Sequence, residues 1–316
     1  MEKVRLGFIG CGGIANGKHL HAYSKNKYAE LVAFCDIVEE RAIKAKEKYG
    51  AEDSRVYTDY KELLKDETID AVLVLTHNSE HCRITVDALM SGKHVLCEKP
   101  MVMNYAEATA LRRRAVPTWG VFIDEEKQGG GPLIDIGTHA LDLTLFVMNN
   151  YEPAFCVGKT FHKLNKDTQT GNNWGDWDTE KFTAEDAAFG FIVMKNGAVI
   201  NLRSSWALNY VDVKEAVTLV CGDKGGADMP KQGELRINGI KNGRQYVMTP
   251  NLSRGSVAFF EGSQSSDPSD LEAACFIGAI LGKGELLVTA EQAACVTMIL
   301  EGIYESEKTG KPYYFN

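Results

Sequence analysis

The feature that most narrows the fold is a glycine turn set between an apolar strand and a helix, at the head of an alternating pattern. Val4–Ile9 is a short, nearly all-apolar run; Gly10-Cys11-Gly12-Gly13-Ile14-Ala15 follows it, and Ile14–Ser24 has helical character. Glu30–Cys35, Ala71–Leu75 and His94–Cys97 are further apolar runs of strand length. Val38–Tyr49, Tyr60–Leu64 and Ser79–Met90 read as the helices between them, with Gly50 and Gly92 as stops. Strands with almost no polar residue are buried on both faces, which calls for a parallel sheet covered by helices on each side. The chain is therefore α/β, with an N-terminal Rossmann parallel sheet.

The turn carries chemistry of its own, because it fits Gly-x-Gly-x-x-Ala. In that pattern the first glycine permits the tight turn, the second lets the backbone approach a pyrophosphate, and the small third residue lets helix and strand pack closely. The first N–H groups of the following helix face the phosphates. An ordinary glycine turn is the plain alternative, but the strand–turn–helix context selects a dinucleotide cradle made of Gly10, Gly12, Gly13 and Ile14. Asp36 ends the second strand, where an acidic side chain accepts hydrogen bonds from the ribose hydroxyls and repels a 2′-phosphate. NAD is the expected cofactor, ahead of NADP. Asp36 also suits a cap on the next helix, and the two roles are compatible. Arg41, one turn into that helix, either holds the adenine side or is simply exposed.

After Pro100 the pattern changes. Tyr105 towards Arg114 and Pro132–Met148 have helical character, and Pro153 to about Val247 reads as antiparallel strands. Ala187–Met194 and Ala198–Trp206 form a hairpin through Lys195-Asn196-Gly197, with Asn-Gly as its turn signal. Lys214–Val220 reads as a strand, Gly222–Gly226 as a turn, and Leu235–Asn238 with Arg244–Met248 as a short hairpin. Ser269–Leu281 and Ala290–Thr309 are the closing helices, and Asn251–Asp267, rich in Ser and Gly, is the expected mobile loop. The 316 residues divide into a dinucleotide-binding domain, 1–114, and an α+β domain for substrate binding and oligomerisation, 115–316.

Bulk properties remove several function classes. A net charge of −8 does not suit nucleic acid, whose phosphates need clustered Lys and Arg. The one dense basic run, Arg112-Arg113-Arg114, is either a solvated helix end or a phosphate contact. No apolar stretch reaches bilayer-spanning length, and the run after Met1-Glu2-Lys3 is too short for a secretory leader, so no membrane partner is expected. The eight cysteines are scattered, several in strands expected to be buried (Cys35, Cys97, Cys221), and no Cys-x-x-Cys pair occurs. Neither a metal site nor a disulfide framework is expected, and the cytoplasm is the expected compartment.

Two further motifs extend the reading. Glu98-Lys99-Pro100 follows the strand that ends at Cys97, and Gly130-Gly131-Pro132-Leu133-Ile134-Asp135-Ile136-Gly137-Thr138-His139-Ala140-Leu141-Asp142 opens the helix of the second domain. Together with Gly-x-Gly-x-x-Ala, and in this order, they resemble the glucose–fructose oxidoreductase / inositol dehydrogenase / rhizopine-catabolism (Gfo/Idh/MocA) family. Thr76-His77-Asn78-Ser79-Glu80-His81 is similar to that family's Thr-Pro-Asn-x-x-His loop, with His77 in place of Pro; Thr289–Ala293 and Ile303–Ser306 also fit. The resemblance covers nearly the whole chain. It implies a Rossmann domain followed by a C-terminal α+β domain with an open, mostly antiparallel sheet, NAD(H) or NADP(H) between the domains, and a sugar, cyclitol or related polyol as substrate. It implies cofactor contacts from Thr76, Asn78 and Glu98, with His81 shaping the nicotinamide loop. An open sheet leaves one face to be covered, so a homo-oligomer, dimer or tetramer, is expected. One departure is large: the family places a further Rossmann strand, a helix and a first strand of the second sheet where Ala106–Arg114 here runs almost directly into Val116. Some tens of residues are missing near 110–112, either by true deletion, with loss of an edge strand, or as a loop left out of the sequence.

Asp135 and His139 are four apart in a helix-like run, so both side chains point the same way. Lys99 follows a parallel strand, at the end where ligands of such sheets gather. Oxidising a carbon that bears a hydroxyl requires loss of a hydride and of the hydroxyl proton. Imidazole titrates near neutral pH, which suits His139 as general base. Lys99 can bond the substrate oxygen and stabilise charge developing there, while Asp135 can orient His139 or bind a neighbouring hydroxyl. Asp142, one turn on, is equally a structural anchor. Trp119, Trp174 and Trp177 are candidates for stacking on a sugar, with core packing as the alternative, and Trp119 and Trp174 are taken as the substrate residues. The expected function is hydride transfer between a nicotinamide and a sugar, cyclitol or polyol. An NAD-assisted glycosidase and a non-catalytic dinucleotide-binding sensor are the alternatives on the same fold.

Overall fold

The structure, a computed structural model, describes residues 3–98, 110–111, 114–209, 217–231, 234–250 and 267–316. Strands β1 (Val4–Ile9), β2 (Ala29–Cys35), β3 (Arg55–Tyr57), β4 (Ala71–Val74) and β5 (His94–Cys97) form one parallel sheet in the order β3-β2-β1-β4-β5. Its burial explains the apolar runs. Leu6, Phe8, Phe34 and Leu73 point into one cluster, and Ile9, Val32, Val72 and Val74 into another on the opposite face. Each such side chain contributes about 1.5–3 kcal/mol relative to exposure. The strand order reverses beside β1, and the crevice at such a reversal is where sheets of this kind take their ligands. A π-helical turn, Ala15–His19, leads into α1 (Leu20–Lys25), so the expected helix at 14–24 is two segments of different pitch; α2 (Glu39–Tyr49), α3 (Tyr60–Leu64) and α4 (Asn78–Met90) follow. Strand β3 has no counterpart in the sequence reading, because three half-buried residues carry no alternation.

The second sheet has the order β14-β7-β8-β9-β6. Its members are β6 (Ala110–Leu111), β7 (Pro153–Phe161), β8 (Ala187–Met194), β9 (Val199–Ser205) and the terminal β14 (Tyr313–Tyr314); β7, β8, β9 and β14 pair antiparallel. Between β6 and β7 come α5 (Glu125–Gln128), α6 (Pro132–Asp135) and α7 (Gly137–Met148). A four-stranded antiparallel sheet follows: β10 (Thr218–Cys221), β11 (Gly225–Lys231), β12 (Glu234–Lys241) and β13 (Arg244–Met248). The chain ends with α8 (Pro268–Ile280), α9 (Ala290–Thr309) and β14.

Several expectations are corrected here. The helix from Tyr105 towards Arg114 falls mostly outside the described residues, but Ala110–Leu111 is strand, satisfied by parallel pairing with Ser204–Ser205, and Arg114 is left-handed at φ 54°. Pro132–Met148 is two helices that break at Ile136. Gly225–Lys231 is strand β11 rather than part of a turn; its Gly, Gly and Pro mask a segment defined by cross-strand pairing on both sides. Of the strand read at Lys214–Val220, residues 214–216 lie outside the described residues and strand pairing begins at Thr218; Asn251 to residue 266 of the expected loop lies outside the described residues. Cys35 is buried, Cys97 partly so and Cys221 exposed, and all eight cysteines are free thiols.

Two compact units emerge: Met1–Val102 with Val257–Thr289, and Met103–Ser256 with Ala290–Asn316. A single break near residue 114 does not describe this division, because α8 adds Ala273, Phe276 and Ile277 to the apolar cluster of Leu6 and Phe8. Among the described residues no helix is long and apolar enough to cross a membrane.

Candidate active site

In the first unit the glycine turn has the geometry that its motif requires. Gly10 sits at φ +97°, and a Cβ there would lie 2.6 Å from the Leu75 carbonyl oxygen, so only glycine fits. Cβ atoms at Gly12 and Gly13 would meet nothing within 4 Å, which leaves the space that a phosphate-bearing ligand needs beside the backbone. Ile14 is exposed. Asp36 is buried against this turn: its Oδ2 accepts from the Cys11 N–H (2.9 Å) and its Oδ1 from the Val38 N–H (2.9 Å). Asp36 thus anchors the turn and the approach to α2 together. Arg41, largely exposed, stands 3.9 Å from its Oδ1. Asn16 closes the turn by donating to the carbonyls of Cys11 (2.9 Å) and Gly12 (3.0 Å). Burial, reinforced by the Asp36 charge, pushes the Cys11 thiol up to about 12.

Thr76 lies in the loop after β4, and Asn78 opens α4. His81 is buried, with Nε2 3.0 Å from the Thr76 carbonyl oxygen, so it braces the loop from inside. His77 and His81 share a four-residue spacing, but His77 lies outside the helix with extended backbone. Among the described residues no group of three His, Cys, Asp or Glu is placed to hold a metal ion. Glu98 leaves the end of β5 with its N–H on the Val74 carbonyl (3.0 Å). Its Oε1 meets the buried His19 Nε2 at 2.7 Å and Lys18 Nζ at 3.2 Å, and Lys18 also reaches Glu272 on α8 at 2.7 Å. Burial alone would lower the Lys18 amine; Glu272 and Glu98 outweigh it and raise it. The sequence reading missed Lys18, His19 and Glu272, whose connection spans most of the chain. Lys99 lies outside the described residues.

In the second unit Asp135 ends α6 and His139 lies in the first turn of α7, so the two stand on successive helices. Asp135 is buried and accepts from Trp206 Nε1 at 3.0 Å; His139 is exposed. Asp142 is half-buried, and burial raises its carboxyl. Trp206 is fully buried in a cluster with Val116, Trp177 and Phe182 and was not foreseen as an Asp135 partner. Trp206→Phe should therefore destabilise the second unit by about 1–3 kcal/mol, the cost of removing a donor from a buried carboxylate; urea unfolding followed by tryptophan fluorescence measures it, and an unchanged midpoint would show the bond to be idle.

Trp119 and Trp174 come together, ring centroids 5.1 Å apart at 65°, and both are about half exposed. Trp177 is mostly core, edge-on to Phe182 at 5.8 Å, and offers far less surface than Trp119 or Trp174. Beside the exposed pair, a cavity of about 1070 Å³ is lined by Thr118, Gly120, Asp124, Asp176, Trp177 and Thr183, among others; Asp135 and His139 are not among its lining residues. Arg114 is no solvated helix end: its Nη1 bonds Asp167 (3.0 Å) and the Thr170 carbonyl (3.0 Å).

Two models of one family match the chain. "Oxidoreductase family, NAD-binding Rossmann fold" covers residues 4–120, and "Oxidoreductase family, C-terminal alpha/beta domain" covers 99–315. The D-glucoside 3-dehydrogenase of Escherichia coli (strain K12) is 30% identical over 353 residues, spanning 97% of this chain and 96% of that protein. That alignment is longer than the chain, so the relative has internal stretches with no counterpart here. An inositol 2-dehydrogenase of Salmonella paratyphi B (strain ATCC BAA-1250 / SPB7) is 30% identical over 134 residues, 42% of this chain and 36% of that one. A levoglucosan dehydrogenase solved with NADH and levoglucosan shares the fold at a TM-score of 0.78 and 17% identity, over 98% of this chain and 99% of that one. The chain is an NAD-binding oxidoreductase and belongs to the Gfo/Idh/MocA family.

Proposed function

We propose that this oxidoreductase interconverts a secondary hydroxyl and a carbonyl on a sugar, cyclitol or related polyol. The open cradle at Gly12 and Gly13, with the Asp36 carboxylate fixed beneath it, is the observation that carries the reading. The dehydrogenases named above act on substrates of this kind and support it. The nicotinamide, when bound, supplies the acceptor or donor of the hydride. His139, exposed at the start of α7, takes the hydroxyl proton as general base. Asp135, held by Trp206, orients the imidazole or a neighbouring hydroxyl, and Lys99 bonds the reacting oxygen. Gly10, Gly12, Gly13, Ile14 and Asp36 hold the dinucleotide, with Arg41 at its adenine side and Thr76, Asn78, His81 and Glu98 towards the nicotinamide. Trp119 and Trp174 offer an exposed aromatic pair to the sugar face.

The domain roles follow the same reading: the first unit takes the dinucleotide, and the second takes the substrate and assembles with copies of itself. Outward-facing Val157, Phe191 and Val199 on one face of the second sheet support a homo-oligomer, and eight free thiols support a cytoplasmic location. No observation favours the glycosidase or the sensor. Fluorescence titration with NADH, followed by a screen of sugars and cyclitols with NAD at alkaline pH, tests the function; NADH binding without turnover on a broad panel would overturn it.

Asp36 is proposed to select NAD over NADP. Asp36→Asn keeps an acceptor for the Cys11 N–H but removes the charge that repels a 2′-phosphate. The ratio of NADPH to NADH dissociation constants should fall by about tenfold, worth about 1.4 kcal/mol. An unchanged ratio would leave Asp36 as an anchor of the turn alone.

A further inference from the structure

Glu185 is the most deeply buried carboxyl around the Gly130–Leu133 turn, and every group on it donates. Its Oε2 accepts from the Gly131 N–H at 2.7 Å, and its Oε1 from the Leu133 N–H at 3.1 Å and the Tyr304 hydroxyl at 3.0 Å. The approach is so close that a Cβ at Gly130 would overlap the Tyr304 hydroxyl, and one at Gly131 the Glu185 carbonyl. The two glycines of Gly-Gly-Pro thus have a reason of their own: they admit the Glu185–Tyr304 pair. Asp135 follows directly, with its N–H on the Gly131 carbonyl at 3.0 Å.

We propose that Glu185, held by Tyr304, is a positioning residue whose carboxylate fixes the Gly130–Leu133 turn, and with it the start of the segment that carries Asp135 and His139. The inference rests on the reading of those two residues given above. The Gly131, Leu133 and Tyr304 donors converge on two oxygens, and the ionised form accepts from all three most strongly; protonation places an O–H among groups that only donate and weakens the bonds that the carboxyl accepts. Burial pushes the Glu185 carboxyl up to about 7, against the pull of the Gly131 and Leu133 amides and of Tyr304. Burial and Glu185 raise the Tyr304 hydroxyl far enough that it stays a donor, and Glu125 on α5 adds its charge to the same effect.

Two pH effects of opposite sign follow. The folded chain keeps the Glu185 proton over a range where the unfolded chain has lost it. The associated stability is therefore fully present below the usual carboxylate range and is lost as pH rises through about 7. When the turn opens while Glu185 stays buried, the carboxylate loses the Gly131 and Leu133 amides that pull its pKa down, so ionisation favours the closed turn; local order, and turnover with it, rises across the same window.

The test is hydrogen exchange of the full-length protein, read on peptides that cover residues 129–136 at pH 6 and pH 8.5 and corrected for intrinsic rates, with polyol turnover in parallel. In the wild type, protection and turnover should both rise with a midpoint near 7. Tyr304→Phe removes a donor to the carboxylate, so both midpoints should move together to higher pH. Glu185→Gln should give low, pH-independent protection and at least a tenfold lower kcat, with KM for NAD unchanged. A limb due to His139 would not follow the Tyr304 substitution. Identical exchange and pH profiles in Glu185→Gln and wild type, or an unmoved midpoint in Tyr304→Phe, overturn the proposal. If Glu185→Gln does not fold, Tyr304→Phe decides alone. If the wild type oxidises no polyol, the functional reading fails, while the exchange midpoints still decide whether Glu185 sets the turn.

Discussion

Replacing His139 with Ala should leave NADH binding and folding intact and lower polyol turnover on the order of 10²–10⁴-fold, the usual contribution of a general base. His139 is exposed at the start of α7 and contributes no core surface, so the stability change should stay within about 0.5 kcal/mol. A loss of rate with neither a loss of fold nor of cofactor affinity is the mark of a group that handles a proton. Steady-state NADH formation gives the rate, and fluorescence titration gives the affinity. Full activity in the variant would return His139 to the status of a surface residue, and proton removal would need another owner.

The second large effect separates two glycines of the same turn. Gly10→Ala meets a left-handed backbone and a carbonyl 2.6 Å away that cannot retreat, because the Leu75 N–H is itself bonded to the Ile9 carbonyl at 2.8 Å. Backbone strain of about 1–3 kcal/mol is expected before any displacement of the loop is counted. The melting temperature should fall and NADH affinity with it. Gly12→Ala finds nothing within 4 Å, so stability should hold while the added methyl occupies ligand space. Circular dichroism suits the comparison, because all four tryptophans lie in the second unit and report little on the first. If Gly12→Ala melts like Gly10→Ala, the open cradle is an incorrect description of the turn. If Gly12→Ala binds NADH as well as the wild type does, the phosphates lie elsewhere.

The parts of the fold that were legible in the sequence are those dictated locally. Strands β1, β2 and β4 are buried on both faces and therefore nearly free of polar residues, β5 is a partly buried apolar run, and the Lys195-Asn196-Gly197 turn announces the β8–β9 hairpin. What escaped depends on distant partners. Strand β11 exists because β10 and β12 pair with it, despite its glycines and proline. Ala110–Leu111 has helix-forming residues but is claimed by the edge of β9. At the site, the glycine turn and Asp36 were legible from their spacing, whereas Trp206 under Asp135 and Tyr304 on Glu185 join segments 71 and 119 residues apart. One signal for Glu185 was present all the same: Glu185-Asp186 directly precedes the apolar run of β8, and two adjacent buried acids persist only when hydrogen-bonded.

The state of Cys11 has a consequence for how this enzyme ages under oxidative stress. Oxidants attack thiolates, and a buried thiol held near 12 offers almost none at any physiological pH. The dinucleotide loop therefore contains a sulfur that peroxide does not reach chemically. Sulfenic acid formation should begin instead at the exposed Cys82 and Cys221, one on α4 and the other at the end of β10. Early oxidative damage should then mark the surface and spare the cofactor loop.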